Sequence, residues 1–215
     1  VGTYAVVATI TSATHTGTVT GNLVISPASQ TITFASISDE KKVGESFDLS
    51  AVSSSGLPVT FEVIGGPATL GANGLTIAVN GVGIVEIRAS QSGNGNYSSA
   101  PSVTRSFSTI KNIATVNLSN LVHTYNGTVK SVIATTNPSG KSVIVSYVPV
   151  APWWTLGLFG PGATAPTNVG SYNVTATIND SGFAGSATGV LVINKASQTI
   201  NFAPAQLNKL VGSFV

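Results

Sequence analysis

Residues 1–10 read VGTYAVVATI, and the same pattern returns as VGSYNVTATI at residues 169–178. The match extends without a gap over residues 1–34 and 169–202, where 19 of 34 positions are identical. Self-similarity at a fixed spacing is the signature of a repeat architecture, so a unit of 168 residues organises this chain. Within the repeated stretch, apolar and polar residues alternate, which predicts β-strands with one buried face.

A weaker similarity at half this spacing divides each repeat into two related modules, A and B, of about 84 residues, a reasonable size for a small β-domain. The predicted segments are the C-terminal strands of a preceding module B at residues 1–27, β-sandwich module A at residues 28–110, β-sandwich module B at residues 111–195, and the start of a following module A at residues 196–215. The linkers between these segments are short and contain no flexible Gly/Ser tract, which favours stiff tandem stacking.

The composition excludes several classes of protein. Hydrophobic residues make up 42% of the chain and charged residues only 7%, which is typical of a folded chain and not of a disordered one. The net charge of +2 is too small and too dispersed for a nucleic-acid interface. There is no cysteine, so disulfide frameworks, thiol catalysis and thiolate metal sites are all excluded.

Period-two alternation recurs along both modules, and no window shows a convincing helical period. Apolar residues occupy every second position in five runs, which are 47–51, 59–63, 85–89, 143–147 and 172–178. Gly- and Asn-rich turns separate these runs, as at residues 71–74 and 93–96. The sequence therefore predicts an all-β chain of tandem immunoglobulin-like antiparallel β-sandwich modules. We expect no membrane-spanning helix, because prolines interrupt the longest uncharged stretch.

Several motifs carry a family resemblance. In module A they are SSGLPVTFEVIGGPATL at residues 54–70 and ASQSGNGNYSSAPSVTRSF at residues 89–107; in module B they are HTYNGTVKSVIATTNPSG at 123–140, APTNVGSYNVTATI at 165–178 and GSATGVLVINKA at 185–196. These motifs resemble the MBG-type and bacterial immunoglobulin-like repeat domains of large bacterial surface adhesin-like proteins. The resemblance implies an extracellular or cell-surface location in bacteria, with modules that act as spacers and contact elements.

One insertion departs from that resemblance. Residues 148–164 read VPVAPWWTLGLFGPGAT, which is longer and more apolar than the short polar turn expected there. Its side chains Trp153, Trp154, Leu156 and Phe159 are the candidate contacts for a ligand or partner, since tryptophan rings stack on sugars and anchor protein interfaces. The alternative is that the insertion folds back as an extra hairpin, with one ring in the core and the other covering a module junction.

Residues that could support catalysis or metal binding do not cluster in the sequence. His15 and His123 lie in different modules, and Phe183 replaces His15 in the second copy of the repeat. The acidic stretch at residues 38–48 contains two lysines, and its copy at residues 206–215 has no acid, so a solvated mixed-charge loop is favoured over a calcium site. We therefore predict no enzyme activity, no catalytic residue, no metal and no cofactor.

The predicted function is that of a structural repeat in a long cell-surface or secreted protein, where it forms a stalk or extracellular filament. Two alternatives stay open. In the first, Trp153 and Trp154 bind a glycan or a matrix protein. In the second, the chain assembles by strand donation, because the strands in residues 1–26 expose apolar side chains and backbone groups that need a partner. That partner is expected to be another copy, a neighbouring repeat, or residues 199–202 of the same chain; nucleic acid and membrane are not expected.

Overall fold

A computed structural model describes residues 1–150 and 164–202 of the 215-residue chain. All regular structure in these two ranges is β-strand, and neither range contains a helix. The prediction of an all-β chain of immunoglobulin-like antiparallel β-sandwich modules is therefore confirmed. Within the same ranges, no helix is long and apolar enough to cross a membrane.

The strands from the N-terminus to the end of module A are β1 Gly2–Thr9, β2 Thr18–Ile25, β3 Ile32–Phe34, β4 Glu40–Lys42, β5 Ser46–Asp48, β6 Ala51–Ser53, β7 Thr60–Gly65, β8 Ala68–Leu70, β9 Thr76–Val79, β10 Gly83–Ser90 and β11 Val103–Ile110. The strands that follow are β12 Asn112–Ile113, β13 Thr115–Ser119, β14 Val122–Thr124, β15 Ile133–Asn137, β16 Val143–Pro149, β17 Gly170–Ile178, β18 Phe183–Ala184 and β19 Ser186–Asn194.

Module A has its sheets packed around one hydrophobic core. One sheet has the order β4-β11-β10-β7, and the facing strands are β5-β9-β8 and the pair β3-β6. The alternation predicted for residues 85–89 is confirmed, because Val85, Ile87 and Ala89 of β10 are all fully buried. Aromatic rings complete the core in two pairs, Phe34 with Phe61 and Phe47 with Phe107, with ring centroids 5.3 Å and 5.5 Å apart.

The run at residues 47–51 differs from the single strand that its alternation suggests. It is divided between β5, which pairs with β9, and β6, which pairs with β3. Between the two strands, the Leu49 amide donates to the Leu75 carbonyl while the Ser50 carbonyl accepts from the Ala35 amide. The chain thus changes its hydrogen-bonding partner here while its apolar residues keep facing the same core.

Module B has the sheet order β14-β19-β17-β16, together with the pair β13-β15. β17 lies in the middle of this sheet, antiparallel to both β16 and β19, whereas β14 pairs with β19 in parallel. The core contains five buried residues, which are Val132, Tyr147, Val174, Leu191 and Ile193. Leu118 and Leu121, which flank the end of β13, pack against this core from the opposite side.

The chain divides into two compact units, one comprising Val1–Ala114 with Asn179–Gly185 and the other Thr115–Ile178 with Ser186–Val215. The first unit includes a short parallel pair, in which Asn112 and Ile113 of β12 align with Phe183 and Ala184 of β18. The domain bounds at residues 27/28, 110/111 and 195/196 remain predictions.

Candidate functional site

The sequence-predicted contact residues Trp153, Trp154, Leu156 and Phe159 lie in residues 151–163, outside the described part of the chain. Their role in binding a ligand or partner stays a prediction. Among the described residues, the candidate interaction surface lies before module A, in strands β1 and β2.

This surface is the hairpin formed by β1 and β2. The two strands are antiparallel over their full length, from Gly2 opposite Ile25 to Thr9 opposite Thr18. They form a two-stranded sheet with no further strand among the described residues. An isolated two-stranded hairpin is marginally stable in water because one of its faces has nothing to pack against. Residues 199–202 do not supply a partner strand, since they have no regular structure.

One face of the hairpin is apolar along its entire length. Strand alternation and the observed register place Tyr4, Val6 and Ala8 of β1 beside Leu23, Gly21 and Val19 of β2. Roughly half of the surface of the large side chains is exposed, with 49% for Tyr4, 53% for Leu23 and 67% for Val19. Large apolar side chains exposed contiguously on one face mark an interaction surface more often than isolated ones do.

The middle of this face forms an open groove of about 310 Å³, lined by Val6, Ala8, Val19, Thr20, Gly21, Asn22 and Leu23. A second groove, of about 290 Å³, continues it towards the turn of the hairpin and shares Ala8 and Val19 with the first. No Asp, Glu, Lys or Arg occurs in residues 1–27, so the grooves carry no charged side chain. A surface of this kind is suited to an apolar, uncharged partner.

The same sequence in module B shows what normally covers this face. Leu191, the repeat equivalent of Leu23, is 0% exposed, and Val174, the equivalent of Val6, is 1% exposed. The segment that covers them contains Leu118 and Leu121. The hairpin at the N-terminus therefore displays a face that the second copy of the repeat buries in a complete core.

A glycine in β2 and its equivalent in β19 were not identified from sequence as important. At Gly189 an added Cβ atom would lie 3.3 Å from Leu118 Cδ1 and 3.5 Å from Leu121 Cδ2, so the two leucines pack closely over this glycine. At Gly21 an added Cβ would have no neighbour within 4 Å. The signal that could have revealed these positions is a glycine at an inward-facing strand position in both copies, within TGNLVI and TGVLVI.

A second feature, also missed from sequence, lies in the first compact unit at residues 179–185. The Asn112 side chain Nδ2 donates to the carbonyl oxygens of Val43 at 2.8 Å and Gly182 at 3.3 Å. The Asn112 amide also donates to the Gly182 carbonyl at 2.8 Å, and Lys111 Nζ donates to the Asp180 carbonyl at 2.7 Å. Asn112 thus ties the loop at residues 179–185 to Val43, the residue that follows β4, within the first compact unit.

A third unexpected feature is a buried polar cluster in module A. Gln30 Nε2 donates to Gln91 Oε1 at 2.5 Å and to the Ser98 carbonyl at 2.7 Å, while Ser55 Oγ donates to Gln30 Oε1. Buried amides need such partners, and here the cluster joins the start of the module to two of its loops. The repeated motif ASQTI, which places Gln198 one repeat after Gln30, is the sequence signal for it.

The two histidines hydrogen-bond to nearby oxygen atoms. His15 bonds Thr14 Oγ1 at 2.9 Å, and His123 Nε2 lies 3.3 Å from the Ser131 carbonyl. In residues 1–150 and 164–202, no group of three or more His, Cys, Asp or Glu side chains is placed to hold a metal ion.

The acidity of Glu45 is changed by its hydrogen bonds. Its carboxylate accepts hydrogen bonds from Lys41 Nζ at 2.8 Å and from the Lys42 amide at 3.0 Å. These bonds, the Lys41 side chain first, hold the pKa of Glu45 below its ordinary value of 4.5. The pair is a mixed-charge surface contact, in agreement with the interpretation favoured from sequence.

Among solved structures, the chain is similar to Drosophila N-cadherin EC1-4, at 12% identity and a TM-score of 0.29, with 90% of this chain and 58% of that chain covered. Sidekick-1 immunoglobulin domains 1-5 match at 13% identity and a TM-score of 0.30, with 91% of this chain and 46% of that chain covered. The chain thus spans about half the length of each. No curated protein matches it.

The family comparison is more specific. The model of the MBG domain matches residues 1–29, which include the β1–β2 hairpin, and residues 114–197, which include β13 to β19. The two matches together cover more than half of the chain and fall on both copies of the repeated sequence. This family supports an extracellular repeat module of the adhesion type, and such domains are typically non-catalytic. The chain belongs to the MBG domain family.

Proposed function

We propose that this chain is a structural repeat segment of a long bacterial cell-surface or secreted adhesin-like protein. Its modules would form a stalk or extracellular filament, with neighbouring repeats as their principal partners. The observation that carries this proposal is the repeat of 168 residues, in which MBG sequence alternates with module A. Repeated β-domains joined by short linkers extend a chain at low cost in flexibility.

The contacts made by Asn112 lie within the first compact unit. Its side chain bonds the Val43 and Gly182 carbonyls, so the loop at residues 179–185 is held by hydrogen bonds within the first compact unit.

The proposal is tested on intact cells that produce the parent protein. An antibody raised against the 215-residue chain should label unpermeabilised cells or the secreted fraction, and external protease should remove the label. The matched control is an antibody against a cytoplasmic protein of the same cells, which should label only after permeabilisation. Label that appears only after permeabilisation would overturn the proposed location, and with it the stalk.

A second candidate function, favoured by the sequence of the insertion, is direct binding of a glycan or matrix protein by Trp153 and Trp154. Replacing both tryptophans with alanine should then abolish adhesion to that surface and leave the melting temperature nearly unchanged. If the rings pack in the fold, the same change lowers stability by several kcal/mol, about 3–5 for a buried aromatic side chain. Loss of stability with adhesion retained would eliminate this candidate.

A further inference from the structure

We propose that the apolar face of the β1–β2 hairpin binds one specific partner, the β13–β14 segment of another MBG module, with the sequence ATVNLSNLVHTYN found here at residues 114–126. The segment would add a parallel strand beside β2 and place its two leucines over Gly21. This inference rests on the proposed function, in which MBG modules recur and neighbouring repeats are partners. It identifies which part of a repeat is the partner.

The intact module B supplies the template for this contact. There, Leu118 and Leu121 pack over Gly189, where an added Cβ would be within 3.5 Å of both side chains. Gly21 is the repeat equivalent of Gly189, and open space lies above it. The groove beside Gly21 is lined by Val6, Val19 and Leu23. Since two of these three have identical equivalents in module B, the hairpin presents nearly the same receiving surface.

The backbone adds a second, independent set of contacts. β14 runs parallel to β19, with Val122 opposite Val192 and Thr124 opposite Asn194. The Val192 amide donates to the Leu121 carbonyl at 2.8 Å, and the Tyr125 amide donates to the Asn194 carbonyl at 2.9 Å. These bonds attach the segment to the edge of β19 that faces away from β17.

β2 offers the equivalent edge. In the described structure β2 pairs with β1 alone, so its other edge, at Val24 to Ser26, is open to a further strand. Strand addition at an open edge gives affinity through backbone hydrogen bonds, whereas side-chain pockets give specificity. Here the pocket over Gly21 would select a segment with two leucines three positions apart.

The pattern of identity between the two hairpins agrees with this assignment. Residues 20–25 and 188–193 are identical at five of six positions, and they include Gly21 and the open edge of β2. Residues 11–19 and 179–187, which form the turn, are identical at one of nine positions. The family model also matches the hairpin by itself, at residues 1–29. The surface that would receive the segment is therefore retained, while the turn varies.

Charge favours the same partner. Residues 1–27 contain no Asp, Glu, Lys or Arg, and neither do residues 114–126. An uncharged segment docking on an uncharged face should bind with little dependence on salt, unlike a partner recruited by charge.

The first test uses the full 215-residue chain and a synthetic, fluorescent peptide of residues 114–126. We expect saturable binding by anisotropy, little changed by salt. A peptide with Leu118→Ala and Leu121→Ala should bind about tenfold more weakly or worse. Gly21→Val in the chain should weaken binding to a similar extent, whereas Ala5→Val, which puts the same side chain on the opposite face and outside both grooves, should leave it unchanged. Binding that ignores Gly21→Val, or no saturable binding, overturns the proposal.

A second test measures where the bound peptide lies on the hairpin. The chain has no natural cysteine, so Gly21→Cys provides a single thiol in the groove and Ala5→Cys a matched thiol on the other face. A peptide with Leu121→Cys, activated beforehand as its mixed disulfide with thionitrobenzoate, should exchange with the Gly21→Cys thiol and release thionitrobenzoate about tenfold faster than with the Ala5→Cys thiol, since only the former lies in the docking site. Equal rates, or a Gly21→Cys chain that couples only to itself through paired hairpins, overturn the proposal. Both readouts use purified components, so they are independent of the surface-labelling test of the stalk.

Discussion

The β1–β2 hairpin and the β17–β19 hairpin are nearly the same sequence in two different environments. Both pair antiparallel in the corresponding register, and Leu23 and Leu191 occupy equivalent inward positions. In module B this face is part of the hydrophobic core, and Leu191 has no exposed surface. In the N-terminal hairpin, the same face is open to solvent.

This difference shows which properties of a β-hairpin are local. Pairing between two adjacent strands and the direction of each side chain depend on alternation and the turn, and both copies retain them. Burial depends on strands elsewhere in the chain, and among the described residues β13 to β16 provide them for module B. The repeated sequence is therefore part of a core in module B and an exposed face in the described N-terminal hairpin.

The largest expected effect comes from truncating the equivalent leucines. Leu191→Ala should lower the free energy of unfolding of module B by about 2–5 kcal/mol, because it leaves a cavity in a closed core. Leu23→Ala should change stability by less than about 0.5 kcal/mol, as is usual for an exposed site. Urea unfolding of the full chain, with hydrogen exchange to assign the affected unit, measures both. Equal losses would mean that the hairpin face is covered in solution.

The next effect comes from filling the two glycine positions. Gly189→Val should lower the stability of module B by about 1–3 kcal/mol, since the new side chain must displace Leu118 and Leu121 from a packed site. Gly21→Val should be neutral or slightly stabilising, because valine favours strands and meets no neighbour there. Thermal unfolding of the two variants compares them directly. A destabilised Gly21→Val chain would contradict the open position assigned to this residue.

Much of the fold could be predicted from the sequence because its signals are local. Alternation correctly identified the inward residues of β10, such as Val85 and Ile87, and the repeat predicted that residues 1–26 would be strands with an exposed apolar face. The change of partner between β5 and β6 could not be predicted, because alternation gives the face of a strand and not its neighbour. The expected pairing of the hairpin with residues 199–202 was wrong for the same reason, since alternation in those residues does not identify a partner strand.

The candidate site was harder to predict. Tryptophan in an apolar insertion was the most visible sequence signal, but the features that the structure brings forward depend on small or polar residues. Gly21 leaves open space because it has no side chain. Asn112 donates hydrogen bonds to two carbonyl oxygens that are distant in sequence. Such roles are defined by the atoms around the residue, and a single sequence does not display them.

A smaller effect on stability is expected at the loop of residues 179–185, whose sequence differs from the equivalent loop of the first copy. Asn112→Ala should lower stability by about 1 kcal/mol, since the Val43 and Gly182 carbonyls lose their side-chain donor. Amide exchange at residues 182–184 should quicken, while exchange in the equivalent loop at residues 14–16 should not change. Asn117→Ala, at an exposed position on β13, is the control and should alter neither. Unchanged exchange at residues 182–184 would show that backbone pairing alone holds the loop.

The smallest expected effect is the pH dependence of stability at Glu45, which should be seen in module A and not in the β1–β2 hairpin. The Lys41 and Lys42 hydrogen bonds lower the pKa of Glu45, so the stability they provide is present above the ordinary pKa of 4.5 and is lost as pH falls through the lowered value. Glu45→Gln should therefore reduce the melting temperature of module A slightly at about pH 7 and not at about pH 2, where both side chains are uncharged. Glu40→Gln, in β4, is the matched control, since no ion pair to Glu40 occurs within the described ranges.

The β1–β2 hairpin contains no carboxylate side chain. Exchange of its amides, corrected for the intrinsic effect of pH, should therefore be the same in the natural chain, the Glu45→Gln variant and the Glu40→Gln variant. A difference between Glu45→Gln and the natural chain that persists at about pH 2 would show that the side chain acts through packing, and not through its charge.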